Sequence, residues 1–273
     1  MLSPEQEAAM LDKLQKLKVS GPGTGHIRLK NIIVIHEIKQ GISKSLLGLD
    51  ELQALPSEQV LGSIAAITGC SAMLTAAEGE GYIDPRATLK GIVSAALLIV
   101  EVCKKRGNII LGTGHPGSMI GFYLELAKTI RNLDGNLISS GKGHPLTTYQ
   151  CKGCQLHDIT EEIDYIGDVA VVTNGELLLH THDYKPMKEM LSAAKENNSE
   201  VELVIADHGF AGFAIKNHIP TIAIMDTNDP AIAASTLLGY RPVIIPMDDN
   251  RPNYISTQVA QIITTVIHIV CGL

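Results

Sequence analysis

Apolar and polar positions divide the chain into two parts with different periodicities. Up to about Arg106 the apolar residues recur at helical spacing. Ser3 before Pro4 marks a helix from Pro4 to Leu17, and a Gly/Pro turn follows at Gly21 to Gly25. The stretch "DPRATLKGIVSAALLIVEVCKKRG" opens on Asp84-Pro85 and stops at Gly107. "EGEGYIDPR" reads as a loop between two such helices. From Asn108 onward short apolar runs ("NIIL", "NLISS", "VAVVT", "ELLLH", "VELVIAD", "PTIAIMD", "PVIIP") alternate with helical segments. Those helices are Pro116 to Asn132, Lys185 to Asn198, Gly209 to Asn217, Pro230 to Leu238 and Asn253 to Ile269. The alternation predicts an α/β fold: three-layer α/β/α, with a mostly parallel Rossmann- or flavodoxin-like sheet and a helical N-terminal region. Residues 1–106 would form a cap or oligomerisation layer, and residues 107–273 the α/β catalytic core. Asn174-Gly175 within "VVTNGELLLH" favours a two-residue hairpin turn, so one strand pair is expected to be antiparallel.

In open α/β sheets ligands bind beyond the carboxyl ends of the strands, so those ends are where chemistry is sought. "NIIL" runs into Gly112-Thr113-Gly114-His115-Pro116-Gly117-Ser118, and "NLISS" into Gly141-Lys142-Gly143-His144. "ELLLH" ends in His180-Thr181-His182, "VELVIA" in Asp207-His208, "PTIAIM" in Asp226, and "PVIIPM" in Asp248-Asp249. Asp and Asn at such places often only cap helices, and Asp229 before Pro230 reads as an ordinary helix start. Histidine is not a preferred cap. Five of the ten histidines fall on this one rim beside several carboxylates, which points to a reaction centre.

The glycine-rich turn after "NIIL" fits the GxGxxG context of a dinucleotide site. Such a site also needs an acidic residue at the end of the second strand, to take a ribose hydroxyl. Here that strand ends at Lys142 and His144, which suit a phosphate better. No dinucleotide is expected. In this reading the amides at the start of the following helix face an anion, Gly112, Gly114 and Gly117 let the backbone approach, and Ser118 donates one more hydrogen bond. A turn with only a structural role is the remaining alternative. The core GTGH also occurs earlier, in "GTGHIRLK", where His26 lies outside the sheet pattern and reads as a neighbour of a turn or part of the cap.

His180 and His182 share a face if the strand continues through them. With Asp207 and His208 they form a candidate site for a divalent metal (Mg, Mn or Zn) that would activate water and polarise a phosphate ester. Without a metal, His115, His180 or His208 would serve as general acid or nucleophile. Asp226, Asp248 and Asp249 complete the rim. Cys151 and Cys154, with His144 and His157, resemble half of a zinc knuckle with no second CxxC, so a reduced pair is the better reading.

Composition narrows the classes. A chain of 273 residues, 45% hydrophobic and 19% charged, can bury a large core. A net charge of -7 disfavours a nucleic-acid partner. The longest apolar runs, Gly91 to Cys103 and Val259 to Cys271, fall short of the roughly 20 residues of a membrane span. The amino terminus lacks the apolar stretch of a signal peptide, so the expectation is a cytoplasmic protein with no membrane partner. Five cysteines, an odd number, argue against a disulfide framework. The P-loop, the GxSxG elbow and the thiol-phosphatase motif are missing.

Across GTGHPGS, "LLHTHDYKPMKEML", "VIADHGFAG" and "PMDDNRPNY", the chain resembles a bacterial family labelled "phosphatase". The likeness runs from Tyr82 to Tyr254 and implies a small phosphomonoester substrate and a three-layer α/β fold. Separately, "IPTIAIMDTNDP" and "IPMDDN" are similar to stretches of a small-subunit ribosomal protein family with a flavodoxin-like core, which bears on fold. The reading is therefore a phosphohydrolase acting on a small phosphorylated metabolite, as a homo-oligomer. A sugar-phosphate isomerase or lyase is the enzymatic alternative, and a nucleotide or sugar-phosphate sensor the non-catalytic one.

Overall fold

The computed structural model describes residues 2–149 and 159–272. Cys151, Cys154 and His157, and with them the knuckle considered above, lie outside the described residues. Cys70, Cys103 and Cys271 are free thiols.

The chain is mixed α/β. The first helix, α1 (Pro4–Lys16), begins with a complete capping box in which Ser3 and Gln6 satisfy each other's backbone amides. A two-residue strand β1 (Gly21–Pro22) follows, then α2 (Arg28–Lys39), α3 (Ser43–Leu46) and α4 (Ser57–Thr68). Strand β2 (Tyr82–Ile83) falls within the stretch expected to be a loop and pairs antiparallel with β1. Helix α5 (Pro85–Lys104) starts at the predicted Asp84-Pro85, with the Asp84 side chain accepting from the Arg86 amide.

The main sheet is built from β3 (Asn108–Gly112), β4 (Asn136–Leu137), β5 (Pro145–Tyr149), β6 (Ile159–Ile166), β7 (Val169–Thr173), β8 (Leu178–Leu179), β9 (Leu203–Asp207), β10 (Thr221–Met225) and β11 (Val243–Pro246). Between them run α6 (Pro116–Asn132), α7 (Lys185–Glu196), α8 (His208–Lys216) and α9 (Pro230–Ser235), and α10 (Asn253–Cys271) closes the chain. The sheet order is β11-β10-β9-β3-β7-β6-β5, parallel from β11 to β7 and antiparallel across β6 and β5. Strands β7, β9 and β10 are buried at every residue, which is why they read as continuous apolar runs rather than as alternating patterns.

Successive residues of the parallel strands feed two cores on opposite faces. Ile109, Leu111, Ile205, Ile222 and Ile224 pack with α1, α5, α6 and α10. Ile110, Val204, Ala206, Ala223 and Met225 pack with α2, α3, α4, α7, α8 and α9. Helices from the first hundred residues thus contribute to both cores.

Two local expectations are corrected. "NLISS" forms only the two-residue β4 beside the start of β3, so Lys142 and His144 do not extend a full second parallel strand. The hairpin turn is a four-residue loop, 174–177, in which the Asn174 side chain accepts from the amides of Glu176 and Leu177. Helix α10, 19 residues with a mean hydropathy of 1.4 over its most apolar window, matches a membrane span by length and composition. One face of it lies inside the protein: Val259, Ile262, Ile263, Val266 and Ile267 are in the core, and Thr264 shares a 2.7 Å hydrogen bond with Thr129 of α6.

Candidate functional site

Parallel strands β3, β9, β10 and β11 end on one rim, delivering His115, Asp207-His208, Asp226 and Asp248-Asp249 to it. His180 and His182 arrive differently. Strand β7 overshoots the end of β3, and β8 turns back antiparallel, so the chain returns to the rim where the Thr181 amide donates to the Gly114 carbonyl at 2.8 Å. A Cβ on Gly114 would stand 2.1 Å from the Thr181 carbonyl oxygen, so only glycine lets these two segments meet.

Four imidazoles then stack. The ring centroids of His115 and His180 are 4.3 Å apart at 11°, and those of His182 and His208 are 4.1 Å apart at 12°. His180 Nε2 and His208 Nε2 are separated by 3.3 Å. His115 Nδ1 lies 3.6 Å from Asp249 Oδ1, His208 Nδ1 lies 3.3 Å from Asp229 Oδ2, and His182 Nδ1 lies 3.9 Å from Asp229 Oδ1. His115, His208, Asp229 and Asp249 are buried, whereas the His180 side chain reaches solvent. Four buried atoms of this group, His115 Nδ1, His208 Nδ1, Asp229 Oδ1 and Asp249 Oδ2, stand at ion-pair distance from one another's residues but complete no hydrogen bond. Buried polar atoms are normally satisfied, so four orphans facing one another mark a place built for something else. His208 also adopts φ = +45°, a conformation that costs a non-glycine residue about 1–3 kcal/mol and that clusters at functional sites.

Two sets of side chains bring three ligand atoms within 4.8 Å of one another: His115, His180 and His208, and His182, His208 and Asp229. Imidazole and carboxylate are the donors that bind divalent first-row metals, and the orphaned atoms belong to these residues or touch them, so the site fits a metal ion.

Electrostatics separate the histidines. Burial, reinforced by neighbouring imidazoles, holds His180 down to about 4 and His182 down to about 3. Burial would depress His208 too, but the carboxylates of Asp229, Asp207 and Asp249 outweigh it and push His208 up to about 10. Burial raises Asp249 to about 6.

The other predicted residues divide into those that build the rim and those outside it. Asp207 is fully committed: Oδ2 accepts from the hydroxyls of Thr113 (2.6 Å) and Tyr123 (2.9 Å), and Oδ1 accepts from the Gly114 amide (2.7 Å). It locks the GTGH turn in place and shows no free oxygen for a metal. The His115 amide donates to Thr113 Oγ1. Two amides expected to face an anion are therefore already used, which leaves the open side of Gly117 and the Ser118 hydroxyl, 3.4 Å from His115 Nε2. Gly112 lies against Phe210, where a Cβ would stand 2.6 Å from the ring. Lys142 pairs with Asp164 and His144 with Glu189, both away from the stacked imidazoles.

Two residues at the centre were not singled out from sequence. Asp229 does start α9, but its side chain makes no capping bond and lies instead between His182 and His208. His26, in the earlier GTGH, places Nδ1 2.8 Å from Asp226 Oδ2, while Asp226 Oδ1 accepts from the Thr227 amide. Its hydrogen bond to Asp226 outweighs burial and raises the His26 pKa. Gly25 has φ = +73°, and a Cβ there would meet Asp226 Oδ1 at 2.6 Å. Asp248, raised by burial and the nearby Asp226 charge, accepts from the Asn250 amide at 3.1 Å. The two GTGH turns thus dock on the ends of adjacent strands, one on Asp207 and one on Asp226, and the repeat was the signal for His26. Beside His182 and Asp229, the side chains of Lys30, Glu37 and Lys44 line a cleft under α2.

Fold and site together define a mixed α/β protein with a buried histidine–carboxylate centre at the carboxyl ends of its parallel strands. The chain belongs to the family described as Phosphatase, whose model matches residues 5–267. It is similar to the protein named Phosphatase SCO2771 of Streptomyces coelicolor, with 26% identity over 261 residues covering 94% of this chain and 95% of that one. Family and relative together support a phosphatase, and the expected family resemblance extends over nearly the whole chain.

Proposed function

We propose that the chain is a metal-assisted phosphohydrolase acting on a small phosphomonoester, on a three-layer α/β scaffold supported by the two cores facing opposite sides of the sheet. The observation that carries this reading is the set of four orphaned donor atoms among stacked imidazoles and buried carboxylates. His115, His180 and His208, or His182, His208 and Asp229, would supply the metal ligands, with Asp249 beside them. The imidazole-rich donor set favours zinc or another first-row transition ion over magnesium. A divalent cation supplies charge neutralisation at the phosphoryl oxygens and a water acidic enough to attack at neutral pH.

The remaining work falls to the chain's own residues. Gly117 and Ser118, at the amino end of α6, offer an amide and a hydroxyl to phosphate oxygens, and Lys30 adds a cation at the cleft. Hydrolysis forms a P–O bond to water and breaks the ester P–O bond, and the departing alkoxide takes up a proton. His26 suits that donation. Asp226 orients its ring through Nδ1, no hydrogen bond occupies Nε2 among the described residues, and the side chain is 29% exposed.

A phosphate-release screen over a panel of phosphorylated metabolites, with Zn²⁺, Mn²⁺ or Mg²⁺ and with chelator, tests the reading. Release of inorganic phosphate that chelator abolishes is the expected result. Turnover that retains phosphate in the product, or release indifferent to chelator, would overturn it.

A further inference from the structure

We propose that the centre holds two divalent cations, one on each side of the His208 imidazole, with that ring supplying a ligand to both. The inference rests on the metal-assisted reading above and goes further in stating how many ions there are and how they are shared.

Three observations carry it. First, the two candidate donor sets, His115/His180/His208 and His182/His208/Asp229, have one member in common. The two nitrogens of an imidazole lie on different edges of the ring, and a single ion cannot use both. His208 directs Nε2 toward His180 (3.3 Å) and Asp249 (3.9 Å), and Nδ1 toward Asp229 (3.3 Å). Each nitrogen therefore faces a different set. An ion taken by Nε2 would leave the His182/Asp229 set without a metal, and an ion taken by Nδ1 would leave the His115/His180 set without one.

Second, the orphaned atoms fall on both sides. His115 Nδ1 and Asp249 Oδ2 belong to the Nε2 side, and His208 Nδ1 and Asp229 Oδ1 to the other. One ion would satisfy only one of these groups, and an unpaired buried polar group is costly to leave.

Third, the charge is unbalanced. Asp207, Asp226, Asp229, Asp248 and Asp249 are all buried here, and no Lys or Arg lies within salt-bridge distance of any of them among the described residues. Buried carboxylates are tolerated when paired or metal-bound; His26 and His208 pair with Asp226 and Asp229, and two divalent cations offset more of the remaining negative charge than one. Each ion would have three protein ligands, the number that leaves coordination positions open for water or substrate. With both ring nitrogens engaged, His208 would be an imidazolate, so the cationic ring of the metal-free protein would give up both of its N–H protons to solvent.

Metal content decides the matter. Protein stripped with chelator, reloaded with Zn²⁺ alone and desalted would be analysed by elemental mass spectrometry and by calorimetric titration. Two equivalents per chain are expected. His180→Gln and His182→Gln, confirmed as folded by circular dichroism, should each retain one equivalent. One equivalent in the unaltered chain would overturn the two-ion inference and leave metal-assisted hydrolysis standing, whereas no stoichiometric binding would overturn both. Should either variant not fold, titration of the unaltered chain with Co²⁺ gives a separate readout. Two successive absorption changes support two sites, and a single change saturating at one equivalent overturns them.

Discussion

Asp229 shows how a residue can satisfy a sequence rule and still have another role. Asp before Pro is a good helix start, and α9 does begin there, yet the carboxylate caps nothing and faces two imidazoles. His115 and Asp207 likewise occupy N-cap positions without a side-chain capping bond. Sequence identifies these positions as turns, and only the failure to cap reveals the second role. His26 was legible as part of a repeat but not as part of the site, because nothing local says that it meets Asp226 two hundred residues away. Its assignment yields a direct expectation: His26→Asn should lower kcat about 100-fold on an alkyl phosphate, where the leaving group needs a proton, and much less on p-nitrophenyl phosphate. Equal losses on both, measured by steady-state kinetics, would argue against proton donation.

The histidines also set a pH dependence for the metal-free protein. His180 and His182 have folded values of about 4 and 3, below the unfolded value near 6.5. As pH falls below 6.5 the unfolded chain takes up protons that the native one refuses, so stability declines toward pH 4. Asp249, held up to about 6, opposes this trend but is outnumbered. His208 acts in the other direction: its contribution is complete below 6.5 and is lost as pH rises toward 10. Urea denaturation in chelator should therefore show greatest stability near neutral pH, and His208→Gln should reduce the alkaline decline, leaving the smaller part that His26 contributes.

At the scale of elements, strand and helix positions in the parallel half were readable because β9 and β10 carry unbroken apolar runs, Leu203 to Ala206 and Ile222 to Met225, and α6 and α9 begin at Pro. Strand β6, "ITEEIDYI", was not. It carries three acidic residues on an antiparallel flank, where burial no longer imposes a continuous apolar run. The hairpin of β7 and β8 is the element that completes the site, and its contact with the GTGH turn depends on Gly114. Gly114→Ala should force the Thr181 carbonyl away and cost about 1–3 kcal/mol in urea unfolding, with a parallel loss of phosphatase activity. An alanine variant of unchanged stability and activity would show that the segments can separate without consequence.

For the whole molecule, the site is where the chain is stitched together. It joins the N-terminal His26 segment, the turn after β3, the β8 return and the loops after β9, β10 and β11. A metal bound here stabilises only the folded state. At a free concentration one hundred times its dissociation constant the gain is about 2.7 kcal/mol, or roughly 5–10 °C in Tm for a chain of this size. Chelator should lower Tm by that order and added Zn²⁺ should restore it in a thermal-shift assay. A Tm insensitive to both would count against a metal in this centre.

Periodicity along the chain determined the alternation of elements, and strand-end residue types determined that histidine and aspartate gather on one rim, because both are local properties of backbone geometry and burial. Which of those residues meet was decided by tertiary structure alone. Strand order placed β9 between β3 and β10, so that His208 stands among His115, His180, His182 and Asp229, while the short β4 left Lys142 and His144 outside. Spacing in sequence cannot encode such meetings, since they depend on how the sheet is threaded and how far each loop returns.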